Sequence, residues 1–155
     1  MSVIQFAGEY NLEECTLCTV GGLELDLIDL VVQIHIHEDI FNNAIAGSIS
    51  FIDTNKLLGN SKVGIVGQEK LRLKISTPTQ DDTDDRNIII NFTDSPLRVF
   101  KIANKVEINE GSEGFMLEFV TPEVVRNNHI RVTKSYVGEP SEEIVQSILR
   151  DEELI

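Results

Sequence analysis

The sequence predicts a mainly β chain of the α+β kind: an antiparallel β-barrel or sandwich with a short helix and one C-terminal helix packed on it. Three observations carry this. Apolar residues fall on every other position through the middle of the chain, the period of a strand with one buried face. Turn-forming residues interrupt that alternation at short intervals. Helical spacing is strong only once, close to the C-terminus. The 155 residues are 41% hydrophobic, enough for one domain with its own core and no need of a disulfide or metal staple.

The first clear alternation sets Leu30, Val32, Ile34 and Ile36 on one face and Val31, Gln33, His35 and His37 on the other. Leu23, Leu25 and Leu27 are out of phase with it, so a bulge, bend or loop near Ile28 and Asp29 must separate two strands. Glu38 to Asn43 is a short polar turn leading into Ile45, Gly47, Ile49 and Phe51, which alternate with Ala46, Ser48 and Ser50. This is an antiparallel hairpin whose second arm has one face of small residues, either solvated or open to close approach by another sheet or subunit.

Leu71, Leu73 and Ile75 alternate with Lys70, Arg72 and Lys74 in a half-exposed strand, after the glycine-bearing stretch Gly59 to Gly67. Pro78 to Arg86 carries Asp81, Asp82, Asp84 and Asp85 without one apolar residue, the composition of a loop. Ile88, Ile90 and Phe92 resume the period before a turn at Thr93 to Pro96. A further hairpin follows, with arms Leu97 to Ile108 and Phe115 to Val120 joined through Asn109 to Gly114, bringing the strands to seven or eight.

Thr121, Pro122 and Glu123 form a helix start: a capping hydroxyl, proline at the first helical position and an acid near the positive end. That helix is brief, ending near Asn127 and Asn128, and Ile130 to Val137 can form one more strand. Ile144, Val145, Ile148 and Leu149 then recur at helical spacing, with Glu142 and Glu143 in the first turn and Gln146 and Arg150 on the polar face. Residues 1–138 are expected to form the β domain. Residues 139–155 are expected to form a helix leading into further domains beyond this chain.

The formal net charge is −13, from 26 acidic and 13 basic residues. Such a chain repels a phosphate backbone, so specific nucleic-acid binding is not expected. Met1 to Tyr10 has neither a basic segment nor a continuous apolar one, so no secretory signal is read there. The most apolar stretch, Leu23 to Ile36, is broken by Glu24, Asp26, Asp29, Gln33 and His35, and membrane insertion is not expected.

No constellation points to catalysis. Cys15 and Cys18 form a C-x-x-C pair, but it has no distant twin and its neighbours Thr16, Leu17, Thr19 and Val20 suit a strand, so both are read as ordinary strand cysteines. His35 and His37 leave one face and could share a metal only with a third ligand from elsewhere; His129 is the other histidine, and Glu38 and Asp39 add no recognised spacing. The Asp81 to Asp85 run lacks the alternate oxygen ligands, central glycine and late glutamate of a helix-loop-helix calcium site. Gly59 to Gly67 lacks the lysine followed by serine or threonine of a phosphate cradle. No enzyme activity, cofactor or metal is expected.

Three segments resemble one family in succession. The stretch PEVVRNNHIRVTKSYVGEPSEEIVQSIL, Pro122 to Leu149, looks like the place in baseplate hub proteins of contractile-tailed bacteriophages where a first barrel gives way to the next domain. LVVQIHIHEDIFNNAIAGSISFIDTNKLL, Leu30 to Leu58, is similar to that family's first long hairpin, and GQEKLRLKIS, Gly67 to Ser76, to its next strand. The resemblance covers nearly the whole chain by order and spacing, though each motif alone is degenerate.

It implies a tail-tube-like barrel, the N-terminal part of a structural virion protein. Three chains of two barrels each would form a pseudo-sixfold ring joining the sixfold tail tube to the threefold central spike. The implied partners are copies of itself, as a trimer in the full-length protein, together with the tail tube protein, the spike protein and other baseplate proteins. The implied location is the virion tail, assembled in host cytoplasm. Gln33, His35, His37, Ser48 and Ser50 would line the lumen, where an acidic wall lets DNA pass without sticking. The alternatives are a cellular β-barrel binding module whose aspartate loop contacts a ligand, and a fragment of a spike-associated hydrolase.

Overall fold

The computed structural model describes residues 9–54, 58, 65–77, 88–129, 131, 133 and 135–150. Eight antiparallel strands make one open sheet, with two helices after it. The strands are β1 (Asn11–Cys18), β2 (Glu24–Asp26), β3 (Val31–His37), β4 (Ala46–Asp53), β5 (Lys70–Ser76), β6 (Ile89–Asn91), β7 (Leu97–Asn109) and β8 (Ser112–Val120). The helices are α1 (Pro122–His129) and α2 (Ser141–Arg150). Across the sheet the order is β2-β1-β5-β7-β8-β4-β3, and β6 pairs with β5.

Connectivity forces this sheet to roll. β2 and β3 are its opposite edges, yet only residues 27–30 join them. A chain covers at most about 3.5 Å per residue, so the facing ends of the two edge strands stand no more than about 18 Å apart. The link is a 3-10 turn, Ile28–Leu30, that packs against both β1 and β4. Rolling brings the inner faces of both halves into one core: Cys15 and Leu17 from β1, Leu71 and Leu73 from β5, Leu97 and Val99 from β7, Leu117 and Phe119 from β8, and Ile49 and Phe51 from β4. Each fully buried Leu or Phe stabilises the fold by about 1.5–3 kcal/mol.

β2 and β3 are not paired with each other, so the sheet is open between them. The chain crosses the gap as a 3-10 turn, which offers no strand to pair.

Two buried carboxylates hold the connections at the ends of β4 and β5. Asp53 Oδ2 accepts the Leu58 N–H at 2.7 Å, seating Leu58 in the core. Both oxygens of buried Glu69 accept backbone N–H groups, Val66 at 2.6 Å and Gly67 at 2.9 Å. Backbone donors aimed at a carboxylate offset much of its desolvation, which explains how acids reach the interior.

The structure corrects four expectations. Val32 is 61% exposed while Val31 packs on the core, because a bulge between Val31 and Gln33 reverses the phase at the start of β3. Thr93 to Pro96 does not reverse the chain: β6 and β7 both run antiparallel to β5, with residues 92–96 opposite Arg72 and Leu73 alone. The excursion is held by the Phe92 N–H on the Leu73 carbonyl at 2.8 Å and by Asn91 Oδ1 accepting the Thr93 N–H at 2.9 Å. Arg131, Thr133 and residues 135–137, which the alternation placed in a strand, are not in one.

Finally, α2 forms as its spacing predicts but adds nothing to the core: none of its described side chains is buried, and Val145 is 54% exposed. A sheet rolled on itself has already covered its inner face, so no helix is needed there. The Asp81 to Asp85 run lies outside the described residues.

Candidate functional site

The outer surface of β3, β4 and β8 gathers the residues that the sequence nominated. Strand register places Gln33 beside Ser50, His35 beside Ser48 and His37 beside Ala46. On the other side of β4, Ser50 faces Met116, Ser48 faces Glu118 and Ala46 faces Val120. Gln33, His35, His37, Ser48 and Ser50 therefore share one surface, opposite the core side chains Ile49, Phe51, Leu117 and Phe119. The cause is the period of two: alternate residues of a strand leave opposite faces.

The two histidines are exposed and stacked, with ring centroids 6.2 Å apart and planes within 6°. Among the described residues no group of three or more His, Cys, Asp or Glu is placed to hold a metal ion. His129 ends α1.

Close strand approach shapes this wall. A Cβ on Gly47 would lie 2.2 Å from the His35 carbonyl oxygen and 2.6 Å from the Phe119 ring, so only glycine fits there. Phe119 covers the bare backbone and seals the inner side. The residues that sequence reading missed come from β7 and β8. A bulge between Val99 and Lys101 turns Phe100 outward, 49% exposed, and sets Lys101 Nζ 2.8 Å from Glu118 Oε1. Met116 and Glu118 alternate with core residues, a signal visible in the sequence; the bulge at Phe100 is not.

The outer surface of β1 and β5 is different in kind. Lys74 Nζ reaches Glu13 at 2.6 Å, and Arg72 bridges Glu14 at 3.1 Å and Glu24 at 2.8 Å. The Lys74 ammonium, helped by the Ser76 hydroxyl, holds the Glu13 carboxyl below its usual range. Glu13 raises Lys74 in turn, and hydrogen bonding to Glu24 raises Arg72.

Cys15 and Cys18, three apart on β1, leave opposite faces and are both free thiols. Cys15 is in the core, where burial, then the nearby charges of Asp26 and Glu14, push its thiol up to about 12. Cys18 lies outside, its Sγ 3.8 Å from Glu24 Oε1, and partial burial raises it as well. Two thiols on opposite faces cannot share a metal or form a bond with each other, so C-x-x-C here is a by-product of strand geometry.

Compared with known proteins, the chain matches no family model, no curated protein and no solved structure.

Proposed function

We propose that this chain is a structural part of a bacteriophage baseplate hub, a tail-tube-like barrel unit that works by joining copies of itself, the tail tube and the central spike. The observation that carries the reading is the rolled antiparallel sheet whose two edge strands each have one side unpaired among the described residues, with one wall of small and neutral side chains beside a wall laced with ion pairs. An unpaired edge is a template for another chain's strand, and a protein that keeps one is suited to building an extended sheet across subunits.

In this reading Gln33, His35, His37, Ser48 and Ser50 face the lumen. None of the five carries a fixed positive charge, so the wall gives a passing phosphate backbone little to adhere to, and the chain's net charge of −13 adds a general repulsion. The unit has no turnover of its own, and its place is the virion tail.

Native mass spectrometry of the full-length gene product tests the assembly half, with trimers expected; a product that stays single at high concentration rejects it. Cryo-EM of the assembled particle tests the lumen, and finding those five side chains on the outer surface of the particle would refute that assignment.

A further inference from the structure

The two most exposed large apolar side chains among the described residues are neighbours: Ile40 and Phe41, 92% and 91% exposed, at the tip of the β3–β4 hairpin. The tip is built, not frayed. Asp39 Oδ1 accepts the Phe41 N–H at 2.9 Å, and the Asp39 carbonyl accepts the Asn42 N–H at 3.0 Å. That turn needs Asp39 but makes no demand for apolar residues after it. The base of the loop is tied to α1 by the Thr121 N–H on the Ile45 carbonyl at 2.9 Å. Glu38, Asp39 and Glu123 border the recess between loop and helix, so the apolar tip stands in acidic surroundings.

Beside α1 and β7 lies a second hollow of about 450 Å³ with the complementary character. Pro122, Val125, Val99 and Phe100 supply its apolar lining, and Arg98 and Arg126 line it as well. Phe100 is 49% and Val125 38% exposed. Neither arginine has an acidic partner among the described residues, in a chain where acids outnumber bases 26 to 13. The tip does not fill the hollow of its own chain, since both its side chains stand in solvent.

We propose that the Ile40–Phe41 tip of one copy seats in the Phe100–Val125 hollow of the next, with Glu38 and Asp39 meeting Arg98 and Arg126. This names the contact for the self-assembly proposed above and rests on that reading. Knob and hollow are different surfaces of one chain, so the contact is head-to-tail and repeats around a ring or along a filament. Opposite charges across the contact set its orientation and make it weaken with salt. A single loop tip covers less than the roughly 800 Å² per partner of a standard interface, so the isolated chain associates weakly and must be examined up to millimolar concentration.

The test is sedimentation velocity of the full chain and two variants, Phe41→Ser and Val125→Asp, each checked by circular dichroism for an unchanged sheet. Wild type is expected to form larger species as concentration rises and to lose them in 0.5 M salt, where the Debye length falls to about 4 Å from about 30 Å at about 0.01 M. Each variant alone is expected to associate at least about tenfold more weakly. Mixed together, the two are expected to form a one-to-one dimer and nothing larger, because each retains the surface that the other lacks.

Association that neither variant weakens overturns this contact while leaving self-assembly intact. Association lost in Phe41→Ser but kept in Val125→Asp overturns the head-to-tail pairing in favour of tip against tip, and variants that fail alone and also fail when mixed overturn it as well. A wild-type chain that remains a monomer throughout overturns both this contact and the assembly reading beneath it.

Discussion

The outer surface of this sheet has two walls that solve the same problem differently. Along β1 and β5, Glu13, Glu14 and Glu24 are answered by Lys74 and Arg72, so charge is satisfied within the wall. Along β3 and β4, Gln33, His35, Ser48 and Ser50 carry no carboxylate, and Ala46 keeps the surface low. A wall of paired charges is already complete toward water. A low, neutral wall leaves room for something else to lie against it, and the contrast is what gives the assembly reading its direction.

The largest effect should separate the two sides of one strand. Phe51→Ala, on the inner side of β4, is expected to cost about 3–5 kcal/mol in urea unfolding, the range for emptying an aromatic site. Its neighbour Ser50→Ala, on the outer side, should stay within about 0.5 kcal/mol. Similar costs for both would mean that the two-sided assignment of β4 is wrong.

Gly47→Ala should follow, at about 1–3 kcal/mol, since its methyl meets the His35 carbonyl and the Phe119 ring. Thermal melting of the variant reads this directly, and an unchanged midpoint would show that the two strands sit further apart than described.

The thiols offer a third, kinetic comparison. At pH 8 a disulfide reagent should modify Cys18 in the folded protein and Cys15 only on unfolding, with Cys15→Ser abolishing the slow phase. Because burial raises Cys15 from 9.0 to about 12, its contribution to stability is intact below pH 9 and declines as pH climbs through that window.

The smallest effect concerns the charged wall. Lys74→Ala should let the Glu13 carboxyl return toward its ordinary 4.5, followed by NMR titration. The depressed pKa contributes stability that is present above 4.5 and lost as pH falls through the folded value, so the variant should show a shallower acid slope. Equal slopes would place that ion pair in solvent exchange rather than in the wall.

Much of this was legible beforehand. Alternation in 45–51 and 70–75 identified β4 and β5 and told inner from outer residues, and Thr121-Pro122-Glu123 marked the start of α1. What stayed hidden were interruptions of phase: the bulges at Val31 and Phe100 and the excursion at 92–96. A bulge depends on which residue of a neighbouring strand comes opposite, and that information is far away along the chain. The Phe100 hollow was invisible for the same reason, since β7, α1 and Gly67 meet only after folding.

By itself, then, the sequence determined the strand character, the division of β4 and β5 into a dry and a wet side, and the excess of negative charge. Those are local or additive properties, set by residue type and a repeat of two. The tertiary structure alone decided the order of the strands, the rolling imposed by the short link between β2 and β3, and the open gap beside it. Such outcomes depend on which distant segments pair, and pairing is chosen by how completely the apolar sides can be hidden from water together.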